Sequence, residues 1–241
     1  MTKGIFITGT DTGIGKTVVT ASVLMILRKA GIDAVPMKPV QTGCDKSNGE
    51  LTTPDLDFSL AAADLDITRE EKEHMCPCRF ESACSPHLAA RRADQTISLD
   101  DICRSFNQLV NQHEIVIVEG AGGIMVPICS ELTMLDLMAI MAIPVILVAR
   151  PQLGTINHTL LSLRELERAH LTVKGVIFNE TSPTDWGYIE EDNRNTIENL
   201  SGIPVIGRIP FIPGLETESN TNECLITQNA LAEMPIAEQI V

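Results

Sequence analysis

Residues 5–17 read Ile5-Phe6-Ile7-Thr8-Gly9-Thr10-Asp11-Thr12-Gly13-Ile14-Gly15-Lys16-Thr17, and a helix-forming stretch, Val18 to Ala30, follows directly. An apolar run that feeds a glycine-rich turn and then a helix cradles phosphate: successive backbone N–H groups converge on one point, where the helix dipole also favours negative charge. In that setting residues 9–17 form a phosphate loop, Lys16 reaches the β- and γ-phosphates of a nucleotide, and the Thr17 hydroxyl ligates the Mg²⁺ that bridges them. The first glycine is displaced. The spacing G-x-x-x-x-G-K-[ST] puts it at position 10, where this chain has Thr10 and carries Gly9 one residue earlier.

Outward from the loop, the chain alternates short apolar runs with helical stretches. Ala34 to Pro39, Glu114 to Glu119, Ile143 to Val148, Val173 to Phe178 and Val205-Ile206 read as strands, with helices over Thr133 to Met141, Asn157 to Ala169 and Ile189 to Leu200. Continuous Val/Ile/Leu runs belong to strands buried on both faces, and hence to a parallel sheet. The expected fold is α/β, a doubly wound, mainly parallel sheet of the P-loop NTP hydrolase type, with ligands beyond the carboxyl ends of the strands. The segment Thr42 to Pro54, rich in Gly, Asn, Ser, Thr and Lys, reads as a loop, and residues 213–241 have weak periodicity and are expected to be partly mobile.

Length and charge narrow the function. A chain of 241 residues with 44% hydrophobic content fills one large domain, here taken as residues 1–241. A formal net charge of −14 argues against an extended nucleic-acid or anionic-membrane surface, so a bound polyanion should be small and locally captured. No apolar run approaches a bilayer span, and the expectation is a cytoplasmic enzyme. The seven cysteines, scattered and odd in number, suit reduced thiols, and the Cys76-Pro77-Cys78 cluster with Cys84 and His87 matches no common zinc spacing.

The strand ends carry the chemistry. Lys38 stands at the carboxyl end of the second strand, beside the phosphate loop, where a second cation could hold the γ-phosphate or an anionic intermediate. Lys38-Pro39-Val40-Gln41-Thr42-Gly43 then continues into a polar loop placed to cover a substrate. Glu119 ends the third strand before Gly120-Ala121-Gly122-Gly123, a position suited to a Mg²⁺ ligand. Asp55 and Asp57 begin the next helix, and either could cap it.

Taken together, Gly9-Thr10-Asp11-Thr12 with Gly15-Lys16-Thr17, Lys38-Pro39-Val40 with Gly43, Ser85-Pro86-His87, Val118 to Gly123, Pro144 to Val148, Leu153-Gly154 with Ile156-Asn157-His158, and Ile209-Pro210 resemble the dethiobiotin synthetase family, in that order over residues 3 to about 212. The family's phosphate loop begins G-T-D-T, which accounts for the displaced glycine. The resemblance implies a homodimeric cyclo-ligase of biotin synthesis that makes dethiobiotin from 7,8-diaminopelargonate, CO₂ (or bicarbonate) and ATP with Mg²⁺, through a carbamate and a mixed anhydride. It implies Thr17, Asp55 and Glu119 as metal ligands and Lys16, Lys38 and Thr12 as catalytic groups. Thr42 and Ser85 would touch substrate. The segment Gly154-Thr155-Ile156-Asn157 would bind the substrate carboxylate from the other subunit. The backbone of Gly13, Ile14, Gly15 and Val18 would wrap the phosphates, with Gly120, Ala121 and Gly122 beside them. Asn179, Glu180, Pro210, Phe211 and Ile212 would border the nucleotide base. Two positions depart from the family pattern: Gly13 stands where some members carry Glu, and Thr42 where Ser is frequent.

Other classes share the fold. A partitioning or septum-placement ATPase carries a signature lysine where this chain has Asp11. A cobyrinate-type amide ligase would need a glutaminase domain for which this chain has no room. A pure nucleotide-binding module has no use for a second lysine beside the γ-phosphate.

Overall fold

The elements in chain order are β1 (Gly4–Gly9), α1 (Lys16–Lys29), β2 (Ala34–Met37), β3 (Val40–Thr42), β4 (Lys46–Ser47), β5 (Glu50–Leu51), α2 (Pro54–Ala62), α3 (Arg69–Met75), β6 (Cys78–Phe80), α4 (Pro86–Arg92), α5 (Leu99–Gln112), β7 (Ile115–Glu119), α6 (Met134–Met141), β8 (Val145–Ala149), α7 (Thr155–Arg168), β9 (Val173–Asn179), α8 (Tyr188–Ser201) and β10 (Val205–Ile209). They are taken from a computed structural model that describes residues 3–47, 49–129 and 131–215. Six strands form a parallel sheet in the order β10-β9-β8-β1-β7-β2.

The apolar runs explain the central strands. Along β1, Ile5 and Ile7 pack with α1 on one face while Phe6 packs on the other, and along β7 Ile115 and Ile117 part from Val116 and Val118 in the same way. Both faces are therefore covered, as the absence of polar alternation in these runs requires. Helix α1 covers the first face, and α5, α6, α7 and α8 contribute Leu109, Leu137, Leu163 and Ile197 to the second. Strand order reverses at β1, whose neighbours are β7 and β8, so the carboxyl end of β1 lies at the topological switch point where this architecture binds ligands.

The two borders of the sheet are irregular. Strand β2 has only four residues and contains Pro36, and β10 shifts register against β9 between Val205 and Gly207. The Val205 N–H donates to Glu198 Oε1 at 2.7 Å.

The structure corrects two expectations. The segment Thr42 to Pro54 is not plain loop: β4 and β5 pair there as an antiparallel hairpin, with Lys46 opposite Leu51. Strand β10 also runs three residues past Ile206, because the sheet pairing of Gly207 and Arg208 outweighs their lack of apolar character. The predicted mobility of 213–241 falls mainly on residues 216–241, outside the described residues. Among the described residues no helix is long and apolar enough to cross a membrane.

Candidate active site

The carboxyl end of β1 runs into the phosphate loop, and the loop's shape depends on Gly15. Its φ of 84° is left-handed, and a Cβ there would lie 2.1 Å from Asn179 Nδ2. That amide comes from the end of β9 and donates to the Ile14 carbonyl at 3.0 Å. A side chain at residue 15 would both strain the backbone and expel the brace, so glycine is required on two counts. Lys16 begins α1, and its ammonium folds back to the Asp11 carbonyl at 3.0 Å. Asp11 is the loop's organiser: its Oδ1 accepts the Thr12 N–H at 2.7 Å and its Oδ2 pairs with Arg150 at 3.0 Å.

Beside the loop lies a buried charge cluster. The Lys38 ammonium, on the segment leaving β2, is 2.6 Å from Glu119 Oε1 and 2.7 Å from Asp55 Oδ2, and it also donates to the Gly120 carbonyl at 3.3 Å. The Thr17 hydroxyl donates to Glu119 Oε1 at 2.9 Å and lies within hydrogen-bond reach of Asp55. Glu119 sits at the end of a fully buried strand and its side chain is 3% exposed, so the carboxylate needs this pairing. Asp55 is delivered by the first turn of α2, directly after the hairpin. Asp57, two residues on, turns instead to Lys72 at 2.5 Å and accepts the Thr53 N–H.

Electrostatics separate the two lysines. Burial penalises the Lys38 ammonium, but Glu119 and Asp55 outweigh it and hold the group charged well above the usual lysine range. Asp55 is likewise held below the usual carboxylate range, burial being outweighed by Lys38. Lys16 goes the other way: burial, reinforced by the nearby Lys38 charge, lowers it to about 8. A polyphosphate in the loop favours charged Lys16, so affinity is fully present below pH 8 and is lost as pH rises through it. Above pH 8, ADP affinity is expected to fall towards about tenfold per pH unit. Calorimetry at pH 9 in buffers of different ionisation enthalpy should show proton uptake approaching one, against none attributable to Lys16 at pH 7. No uptake at pH 9 would mean that burial does not lower Lys16 or that the phosphates do not meet it.

A cleft of about 970 Å³ joins the loop to the cluster, lined by Thr12, Gly13, Gly15, Lys16, Thr17, Val18, Lys38, Thr42, Asp55, Glu119, Ala121 and Gly122 among others. Two carboxylates and a hydroxyl converging at the mouth of a phosphate loop are the hard oxygen donors that suit Mg²⁺, and a carboxylate already close to an ammonium is one that accepts positive charge readily.

Several predicted residues stand elsewhere. Asn179 is a buried brace of the phosphate loop. Glu180 pairs with Arg208 at 2.6 Å and accepts the Phe211 N–H at 3.3 Å, which fixes the turn through Pro210 and Phe211. Ile212 is a core residue against the α1 side of the sheet. Ser85 is half-buried as the residue before α4 and does not line the cleft; the 82–83 turn near it backs onto Gly43. Gly154, with φ 94°, caps α7. Thr155 is buried, Ile156 packs towards the core and Asn157 is exposed, none of them in this chain's own cleft. Two residues left without a role by the sequence, Asp11 and Gln41, belong to the site; Gln41 is signalled only by its place inside the Lys38 to Gly43 run. Burial raises Cys76 and Cys78 to about 12 and about 11, so neither thiol is a ready nucleophile or ligand.

A family model described as an AAA domain matches residues 3–219. An ATP-dependent dethiobiotin synthetase BioD of Thermodesulfovibrio yellowstonii is 36% identical over 225 residues, 90% of this chain and 92% of that protein. The protein of the same name from Anoxybacillus flavithermus is 41% identical over 211 residues, 87% of this chain and 92% of that one. Among solved structures, the MinD cell division protein of Aquifex aeolicus aligns with a TM-score of 0.57 at 17% identity over 92% of this chain and 86% of that one. A ParA family ATPase of Chlorobium tepidum aligns with a TM-score of 0.55 at 15% identity over 87% of this chain and 84% of that one. The last two likenesses establish the fold.

Proposed function

The chain belongs to the dethiobiotin synthetase family, and from that premise we propose that it closes 7,8-diaminopelargonate and CO₂ into dethiobiotin in the cytoplasm, with ATP converted to ADP and phosphate and Mg²⁺ as the cation. The observation that carries the reading is the buried ammonium of Lys38 between Asp55 and Glu119, beside a phosphate loop that already holds Lys16. Binding a nucleotide needs only the loop. Activating a second anion against it needs a second fixed cation.

One amine of the substrate adds to CO₂ and loses a proton, giving a carbamate. A carbamate oxygen attacks the γ-phosphorus and ADP leaves; the other amine then attacks the carbonyl carbon and gives up a proton, phosphate leaves and the cyclic urea is complete. Two anions must be brought to contact distance, which Lys16 at the phosphates and Lys38 between the phosphates and the carbamate make tolerable. Thr12 and Thr42, both on the cleft wall, would donate hydroxyl hydrogen bonds to the carbamate or the transferring phosphoryl group. Thr17, Asp55 and Glu119 would hold Mg²⁺, which when bound neutralises charge on the β- and γ-phosphates. The base would lie towards Asn179 and the Pro210-Phe211 turn.

A homodimer would complete the site. The substrate's own carboxylate lies several carbons from its amines, and the N–H groups at the start of α7, around Gly154 to Asn157, suit an anion but do not face this chain's cleft. We assign them to the partner's substrate. ADP release is expected to require both diaminopelargonate and bicarbonate. In the same assay, Lys38→Ala and Asn157→Asp proteins should each be impaired at limiting diamine. Mixed and re-equilibrated at equal concentrations, they should regain about a quarter of wild-type activity, because half the dimers hold one intact composite site of two. Nucleotide hydrolysis independent of both substrates would overturn the function, and no recovery on mixing would overturn the shared site.

A further inference from the structure

Gln41 is the least expected member of the cluster. It lies on β3, is 4% exposed, and reaches the wall of the cleft between Lys38 and Asp55. Its Nε2 donates to Asp55 Oδ2 at 3.3 Å and to the Thr42 carbonyl at 3.2 Å, while its Oε1 is buried with no partner. The amide cannot be reversed without setting Oε1 against the Asp55 carboxylate, so the donor's engagement with Asp55 is what strands the oxygen. The stranded buried oxygen is offset by the two bonds of the amide, and of these only the one to Asp55 reaches a side chain of the charge cluster.

Asp55 has an unusual need for such a bond. It follows the β4-β5 hairpin, so its position relative to Glu119 and Thr17 is set across a long excursion of chain, and Gln41 ties the strand before that excursion to the helix after it. Lys38 and Gln41 both engage Oδ2, which leaves neither of them on Oδ1. A phosphate brought into the cleft would compete with Asp55 for the charged Lys38 ammonium, whereas the uncharged Gln41 amide would be drawn less.

We propose that Gln41 is a positioning residue for the cation: it holds Asp55 by Oδ2 so that Oδ1 is presented as a metal ligand alongside Thr17 and Glu119. The inference rests on the metal assignment made above and adds to it the residue that keeps one ligand in place. Donors behind a ligating carboxylate ordinarily affect metal affinity by about 10- to 100-fold.

The test uses Mn²⁺ as the probe, titrated into the full-length protein saturated with ADP and followed by the loss of the free-ion electron paramagnetic resonance signal. Gln41→Leu, which keeps the volume and removes the donor, is expected to weaken Mn²⁺ binding about tenfold. ADP binding in EDTA, which reports an intact phosphate loop, should stay within about twofold of wild type because the hydrogen bonds of Gln41 go to Asp55 and Thr42 and not to the loop. Gln41→Ala serves as the second variant should leucine not fold, with the same expectation. Asp55→Asn is run beside them. If Asp55→Asn weakens Mn²⁺ binding and the Gln41 variants do not, the inference about Gln41 is wrong and the metal assignment survives. If Asp55→Asn has no effect either, the metal assignment itself is wrong and Gln41 loses its role with it.

Discussion

Lys38→Ala is expected to lower kcat by at least about 10²-fold, the ordinary cost of removing a preorganised charge from a transition state, and in the same protein to lower the melting temperature of the ligand-free form. The two effects have different origins and different remedies. In the resting structure Lys38 is the counter-ion of two carboxylates, one of them almost wholly buried; removing one partner of a buried pair typically costs about 3 kcal/mol or more. A divalent cation delivered with ADP brings positive charge to the same carboxylates, so Mg·ADP should restore most of the lost thermal stability. It should not restore turnover, because on the proposed mechanism the cation would be held at the phosphates and the carbamate would still lack its own charge partner. Thermal melts with and without Mg·ADP, set beside kcat, separate the roles. Near-normal kcat with reduced stability would make Lys38 a structural counter-ion alone.

Glu119→Gln is expected to raise the Mg²⁺ concentration for half-maximal turnover by about tenfold or more, whereas Asp57→Asn should shift it by less than about twofold. Both side chains border the cleft, and both stand near a lysine, so composition does not rank them. Geometry does. Glu119 shares its oxygen with Lys38 and Thr17, whereas Asp57 is turned towards Lys72 and the Thr53 N–H on the far side of the α2 turn. A magnesium titration of ADP formation decides between them, and the opposite ranking would mean that the cation enters along α2 rather than at the end of β7.

What the chain discloses before folding is local. Ile5-Phe6-Ile7 followed by Gly9 to Thr17 specifies a strand, a turn and a helix start within a few residues of one another, and β7 and β8 are legible because every one of their residues is buried. The runs that were not legible are those stabilised by partners distant in sequence. Strands β3 and β6 have three residues each and exist because Val40 meets Cys78 and Thr42 meets Phe80. The β4-β5 hairpin carries too little apolar character to announce itself, and α5 buries Ile102, Ser105 and Leu109, a stripe whose middle member is polar. The site divides along the same line. Lys16, Thr17, Lys38 and Glu119 could be named singly from motif positions, and Asp55 is chosen over Asp57 by the family resemblance, but that Asn179 braces the loop, or that Gln41 reaches Asp55, depends on a closeness between segments that no window of sequence contains.

The irregular borders of the sheet bear on how the protein behaves in concentrated solution. A sheet edge with a free row of N–H and C=O groups is a template on which another chain can add a strand, the first step of fibrous aggregation. At one edge Pro36 leaves β2 without one of the donors such a ladder would use, and β2 is too short to offer many. At the other, the register shift between Val205 and Gly207 distorts the row, and Glu198 already occupies the Val205 N–H. Strand addition is thus hindered at both borders of the six-stranded sheet, which favours the soluble chain over its fibrous alternative.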